Sequence, residues 1–321
     1  MEKTRMGQVS INMEALIKMI ETKTPSEGMQ ETPIPEVVLF RESLPHPLEP
    51  LLYDPFFIFI AQGKKQGILE NTRYEYDSGH FLTVLAPVPM ACQVIEASKE
   101  KPLLAIGILI NRARIRNMLM KIDQVEPAPA KPVEVNPSGV FTAPLNEALL
   151  NALIRLMKTM DSPAEAAIVG EAVVEEIYFR ILKYEQGGAL PFLLHRWGQI
   201  EQITRAVEYI HRNLSKVISV DKLSALANMS SAAFHKKFKE VMHMSPLQYA
   251  KQIKLIKAQT FILSGMNVSE AGYKVGYNSP AQFSREYKRH FGIAPSIDRM
   301  AGLTSRSSEI MEYAAGEYAA E

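Results

Sequence analysis

The sequence has one cysteine, Cys92, one tryptophan and no long apolar run. A lone cysteine excludes an internal disulfide and suits a reducing compartment. The longest apolar stretches, FFIFIA and PLLAIGILI, have the length of strands and fall short of the roughly 18 residues that a membrane-spanning helix needs. The first residues, MEKTRMGQVSINMEALIKMIE, mix acids into apolar positions and show no signal-peptide core. The expected setting is the cytoplasm, without membrane association. Histidine is scarce as well: before residue 195 only His46 and His80 occur, too few for a three-histidine metal site. No Ser-His-Asp arrangement and no Gly-rich phosphate loop is apparent. An enzyme is therefore not expected, nor a cofactor or a metal ion.

What is present is an uneven distribution of charge. The 321 residues carry a net charge of +1, yet residues 195–299 hold 16 Lys and Arg against 7 Asp and Glu, a net of +9. Residues 1–194 hold 19 against 24, a net of −5, and the tail from Met300 holds 1 against 4, a net of −3. A basic module on a mildly acidic body suggests a polyanion as partner of the C-terminal third. The length is enough for two cores.

Between residues 34 and 111 the segments FFIFIAQ, QGILEN, RYEYD, FLTVLAPV, ACQVIEA and LLAIGILIN follow one another, separated by Gly, Asn, Asp-Ser-Gly and Pro. Short strands at such spacing argue for an all-β sandwich or barrel. From Arg112, RARIRNMLMKI has helical periodicity, and EPAPAKPVEVNPSG reads as a Pro-rich connector. Helical patterns over 144–160 and 163–186 follow, the second with a possible C-cap at Gly187-Gly188. They present Leu149, Leu153 and Leu156, and Val173, Ile177 and Ile181, at helical spacing. One face could pack on the barrel while another pairs with a second chain, so a homodimer is expected. Residues 199–291 read as helical throughout, and the tail SRSSEIMEYAAGEYAAE shows no core face and reads as disordered.

Within the basic third, SSAAFHKKFK from Ser230 is matched by SPAQFSREYK from Ser279. Serine at the N-cap, and proline at the first helical position of the second copy, are helix-start signals. Phe234 and Phe238, like Phe283 and Tyr287, lie at i and i+4 on a face that must be buried, which turns the residues between them outward. A short helical pattern precedes each copy (220–227 and 268–275), so each half reads as a helix-turn-helix, about 219–242 and 268–291. SPLQYAKQIKLIKAQTFIL lies between them as one uninterrupted helix, a rod of about 28 Å at about 1.5 Å per residue. That is near the roughly 34 Å between successive major-groove turns on one side of DNA. The repetition thus predicts two reading helices held one groove turn apart.

On these residues the stretch from about 200 to 299 resembles the DNA-binding domain of AraC/XylS-type transcription regulators. The second half meets the family pattern V-G-(F/Y)-x-S-x-x-x-F-S-R-x-(F/Y)-K-x-x-F-G-x-x-P at Val275, Gly276, Tyr277, Ser279, Phe283, Ser284, Arg285, Tyr287, Lys288, Phe291, Gly292 and Pro295. The first half departs from it: His243 replaces a usual glycine, Lys236 a usual arginine, and Lys254 and Lys257-Ala258 stand where an arginine-led stretch is usual. Gly272 lies inside a helical pattern, which a tight helix crossing would explain. The resemblance implies base contacts from Ala232, His235 and Lys236 in the first helix and from Ala281, Gln282 and Arg285 in the second. Arg and Lys suit guanine O6/N7, and Gln suits adenine N6/N7. Phosphate contacts are assigned to Ser230, Lys239, Ser279, Lys288 and Arg289.

A looser resemblance covers residues from about 30 to 190, through Gln62-Gly63-Lys64, Tyr76-Asp77, Gly79, Leu82 and Glu96-Ala97-Ser98. It is to the N-terminal domain of one AraC-type subgroup, a cupin-like β-barrel followed by helices and taken to sense an effector. The implied architecture is an α+β multidomain chain: an N-terminal helix or arm over 1–33, a cupin-like effector-binding and dimerisation domain with accessory helices over 34–190, an all-α double helix-turn-helix domain over 195–299, and a tail over 300–321. Candidates for the effector pocket are Phe57, Phe59, Tyr74, Tyr76, His80 and Cys92. The expected function is sequence-specific transcription regulation at a promoter in double-stranded DNA, controlled by an unidentified small molecule or stress signal, with RNA polymerase as a further partner. The competing reading is a constitutive architectural DNA binder whose barrel serves only for dimerisation.

Overall fold

The computed structural model describes residues 2–125, 140–183 and 189–302. The N-terminal part is built on ten strands: β1 (Gly28–Glu31), β2 (Val37–Glu42), β3 (His46–Tyr53), β4 (Phe56–Gln62), β5 (Lys64–Leu69), β6 (Thr72–Asp77), β7 (His80–Val84), β8 (Val88–Glu96), β9 (Leu103–Leu109) and β10 (Val140–Pro144). They form a six-stranded sheet, β1-β2-β9-β4-β7-β10, and a four-stranded sheet, β3-β8-β5-β6, with antiparallel neighbours throughout. β4 and β9 read as unbroken apolar runs because both of their faces are covered. FLTVLAPV, expected as one strand, is divided. β7 ends at Val84, and Leu85-Ala86-Pro87 carries the chain into the other sheet, where β8 begins at Val88. Pro87 and Pro89 have no N–H with which to continue a ladder.

Helices accompany the larger sheet: α1 (Glu2–Lys23), packed directly on it, α2 (Arg112–Val125), α3 (Glu147–Thr159), the single turn α4 (Pro163–Glu165), a π-helical turn over Ala166–Gly170, and α5 (Glu171–Leu182). The first residues are no separate arm. Leu16 and Ile20 of α1 are buried in the core, and β1 pairs with β2, so a boundary at 33/34 cuts through this unit. The guanidinium of Arg114 gathers Glu36, Glu171 and Glu175, tying α2 to α5 and to the sheet. The proposed cap at Gly187-Gly188 and the connector over 126–139 lie outside the described residues, as does the tail beyond residue 302.

The C-terminal part comprises α6 (Ala189–Arg212), α7 (Val220–Leu226), α8 (Ser231–Met242), α9 (Pro246–Leu263), α10 (Val268–Lys274), α11 (Pro280–Phe291) and α12 (Pro295–Gly302). Ser219, Ser230, Ser245, Asn267 and Ser279 cap α7 to α11, each side chain accepting a first-turn N–H. His243 ends α8 in the left-handed conformation, φ 61°, which is why glycine is the usual residue there. A Cβ on Gly272 would lie 3.0 Å from the Phe283 ring, so the tight crossing expected at this glycine is real.

The expected boundary near residues 190–195 does not divide the packing. One continuous core runs from the sheets through Ile177 of α5 into Ile203 and Val207 of α6, Phe234 and Phe238 of α8, and Tyr249 and Ile253 of α9. A second core begins at Leu255 and holds Ala258, Ile262, Ala271, Val275, Phe283 and Tyr287. The division therefore falls inside α9. At the junction of barrel and helices the Tyr249 hydroxyl donates to the Pro87 carbonyl at 2.9 Å and lies 2.8 Å from Nε2 of His211. A tyrosine has one hydroxyl hydrogen, so Nε2 of His211 carries the proton of the second bond.

Burial, and then the charge of Lys257, push the pKa of His211 down to about 4. In the unfolded chain the same imidazole takes up a proton below about 6.5. Between those two values the unfolded state binds the extra proton, so stability falls as the pH drops from about 6.5 to about 4. Melting temperatures across that window should decline in the wild type and decline less in His211→Gln. Parallel profiles would show that the folded protein does not resist this protonation.

Candidate nucleic-acid interface

α8 and α11 each bury one side and present the other. Phe234 and Phe238 of α8, and Phe283 and Tyr287 of α11, are fully buried. Ala232, His235, Lys236 and Lys239 are exposed on α8, and Ala281, Gln282, Arg285, Lys288 and Arg289 are exposed on α11. Ser230 and Ser279 are the N-caps, their hydroxyls accepting from the Ala233 and Gln282 amides at 3.4 and 3.3 Å. Lys236, Lys239, Arg285 and Lys288 carry no ion pair among the described residues, so their charges stand ready for a polyanion. All the nucleic-acid candidates thus lie at a helix start or on an outward face.

The neighbours of α11 are strongly tied. Glu286 accepts from the Tyr277 hydroxyl at 2.8 Å, pairs with Lys251 at 3.0 Å and receives the Gln282 amide at 3.4 Å. Burial would raise its pKa, but the Lys251 ammonium and the two other donors outweigh this and hold the carboxylate below its usual range. Gln282 is thereby held toward Glu286. At the far end of α11 the Tyr287 hydroxyl donates to the buried Asp298 carboxylate at 2.5 Å, which also accepts from Gln259 at 2.9 Å. This locks α11 and α12 to the rod α9.

In the barrel the candidates separate. Phe57 meets Tyr178 of α5 edge-on, with ring centroids 5.1 Å apart, and Phe59 packs on Phe81 at 5.7 Å. Alternation along β4 puts both on the helix-covered face, so they belong to the packing beneath the helices and not to the space between the sheets. His80 pairs with Asp77 in the turn before β7 and is partly exposed at the rim. Tyr76 and Cys92 do face inward, and Tyr74 shares the Tyr76 face of β6. The Tyr76 hydroxyl is 3.2 Å from that of Tyr53, and burial holds both tyrosines well above the usual range. Burial likewise pushes the Cys92 thiol up to about 12, which keeps it protonated and unreactive.

Beside this group stand three residues that are not among the pocket candidates, Lys65, Glu42 and His46. Lys65 of β5 pairs with Glu42 of β2 at 3.4 Å across the two sheets, and Nε2 of His46 approaches Glu42 at 3.1 Å. The side chains of Lys65 and Glu42 are 12% and 13% exposed, so this is an interior ion pair. Burial opposes ionisation of Glu42, but Lys65 and His46 prevail and lower its pKa, while the bond to Glu42 raises that of His46. Lys65 lies directly opposite Tyr76 in the β5–β6 register, so inward placement of Tyr76 implies inward placement of Lys65. Among the described residues no group of three or more His, Cys, Asp and Glu could hold a metal ion. No described helix is long and apolar enough to cross a membrane.

A barrel joined to two capped helix-turn-helix units on one rod defines the class of helix-turn-helix proteins with an added N-terminal domain. Residues 33–189 match the AraC-type transcriptional regulator N-terminus, and residues 223–300 match a helix-turn-helix domain. The chain belongs to the AraC-type transcriptional regulators. It is 26% identical over 161 residues to the HTH-type transcriptional regulator GbdR of Pseudomonas aeruginosa, covering 50% of this chain and 43% of that protein. It is 32% identical over 97 residues to the lactose operon transcription activator of Staphylococcus xylosus, covering 30% of this chain and 35% of that one. The chain thus spans less than half the length of these curated relatives. ToxT from Vibrio cholerae, in a crystal structure with a bound unsaturated fatty acid, shares the fold with a TM-score of 0.53 at 11% identity, over 83% of this chain and 94% of that one.

Proposed function

We propose that the protein is a sequence-specific DNA-binding transcription regulator that reads a promoter with α8 and α11 and whose barrel responds to a small molecule. The observation that carries this reading is the pair of outward faces, each with unpaired basic residues, at the two ends of a rod of 18 residues, about 27 Å at about 1.5 Å per residue. Ala232, His235, Lys236, Ala281, Gln282 and Arg285 are assigned to bases. Ser230, Lys239, Ser279, Lys288 and Arg289 are assigned to phosphates. Control by a small molecule is supported by the polar group between the sheets, Lys65, Glu42, His46, Tyr53 and Tyr76. ToxT, which has the same fold, holds an unsaturated fatty acid in its crystal structure. We further propose a cytoplasmic homodimer acting together with RNA polymerase. Leu149, Leu153, Leu156, Val173, Ile177 and Ile181 are all buried within the chain. A dimer face would therefore use the exposed Ile168, Val169 and Phe179 on the π-helical turn and α5.

The test is binding of the full chain to promoter fragments at rising salt. Each phosphate neutralised contributes about −0.9 to the slope of log K against log salt, so Lys239, Lys288 and Arg289 with the base-contacting cations should give a slope of about −3 or steeper. A flat response would contradict the assigned face. A small molecule that shifts this affinity separates a regulator from a constitutive architectural binder, whose affinity would respond to none.

A further inference from the structure

We infer that the barrel governs the first helix-turn-helix and leaves the second to bind on its own. This rests on the reading that both units bind DNA. The contacts that join barrel and helices converge on one half of the C-terminal part. Arg112 and Arg116 of α2 pair with Glu208 and Glu201 of α6. The Tyr249 hydroxyl, at the start of α9, bonds Pro87 and His211. His243, the left-handed cap of α8, lies within the field of Glu70 in the β5–β6 turn. The apolar core shared with the barrel extends through α6, α8 and the first half of α9, whereas the core of the second unit is built only from Leu255 onward.

The same junction lies one residue from the interior of the barrel. Pro87 immediately precedes Val88, the register partner of Tyr53, whose hydroxyl meets that of Tyr76 beside the Lys65–Glu42 pair. A ligand that displaces Tyr53 or Tyr76 therefore moves the strand end that bears the Pro87 carbonyl. Tyr249 and His211 carry that displacement to α9 and α6, the two helices that flank α8. The outward face of α8 is open, so the barrel does not occlude the reading residues but sets the angle at which they are presented. The second unit meets the first through the rod and where Gly276 approaches the Leu214 and Ser215 carbonyls, and its own core fixes α11.

The experiment uses the full chain and a site obtained by randomised-sequence selection. Two probes are compared, the whole site and a version with the first-motif half scrambled. Tyr249→Phe keeps the ring that packs edge-on against Phe238 and removes only the hydroxyl. It should weaken binding to the whole site about tenfold, within the usual range of coupling between sites, and leave the scrambled-half probe unaffected. Arg116→Ala, at the rim of the junction, should act in the same direction and less strongly. Equal weakening on both probes, or no effect of either variant on either probe, would overturn the inference. A wild-type protein that selects no sequence at all would instead defeat the DNA-reading function.

Discussion

Replacing Gly276 by alanine should destabilise the second helix-turn-helix and reduce binding to a full site. Gly276 ends the turn after α10 with φ +86°, and a Cβ there would lie 2.7 Å from the Ser215 carbonyl oxygen and 2.9 Å from that of Leu214. Both neighbours are backbone, in the turn that follows α6, so neither can swing away as a side-chain end would. The left-handed conformation alone costs an alanine about 1–2 kcal/mol, and forcing a methyl group into filled space adds about 1–3 kcal/mol. Gly292 provides the comparison: it too has positive φ, +79°, but nothing lies within 4 Å of its Cβ position. Gly292→Ala should therefore show the conformational cost alone. Urea unfolding midpoints at unchanged m give both values. If the two variants were equally destabilised, the close approach of the second unit's turn to the first would not exist in solution. Because Leu214 and Ser215 belong to the first unit and Gly276 to the second, relief of the clash also shifts α11 relative to α8. Binding to the full site should fall more than stability alone accounts for.

The parts of this structure that were legible in the sequence are those written in local signals. Ser230, Ser245 and Ser279 announce helix starts because a hydroxyl satisfies an orphan N–H three residues on, and Phe234/Phe238 and Phe283/Tyr287 mark buried faces because i and i+4 coincide on a helix. These signals need no knowledge of distant partners, and α8 and α11 follow from them with their exposed residues. The strands were less legible. VVLFRE and HPLEPLLY form β2 and β3, yet neither alternates cleanly, and Pro47 and Pro50 in β3 weaken any strand reading. FLTVLAPV looked continuous because apolar residues run through it, while the crossing between sheets is decided by pairing partners far away in the chain. Lys65 is illegible for a related reason: its inward direction depends on register with Tyr76, and a lysine in QGKKQ reads as solvated. Phe57 and Phe59 read as pocket residues because alternation identifies a shared face without saying which side it is on. The joint of Pro87 with Tyr249 links positions 162 residues apart and has no sequence signature.

The comparison of Arg285 with Lys288 separates base reading from charge neutralisation. Arg285 follows the buried Phe283 by two positions and is exposed, with no ion pair among the described residues, so its guanidinium projects from the outward side of α11. A guanidinium in that place can bond guanine O6 and N7 together, and losing such a pair costs about 1–3 kcal/mol of discrimination. Lys288, nearly one turn further along and also exposed, is the residue proposed for the phosphates, and an ammonium at a phosphate neutralises charge without reading a base. Arg285→Ala should thus relax preference at one or two adjacent base pairs while non-specific affinity stays nearly intact. Lys288→Ala should weaken all sequences alike and reduce the salt slope by about one unit. The first unit supplies an internal control, because Lys236 holds the equivalent place with a charge that lacks arginine's planar fork. Lys236→Ala should therefore lose less discrimination than Arg285→Ala. Randomised-site selection on the three variants decides between these outcomes. An unchanged consensus for Arg285→Ala would show that α11 reads its bases through other residues, and a slope unchanged in Lys288→Ala would place that ammonium away from the phosphates.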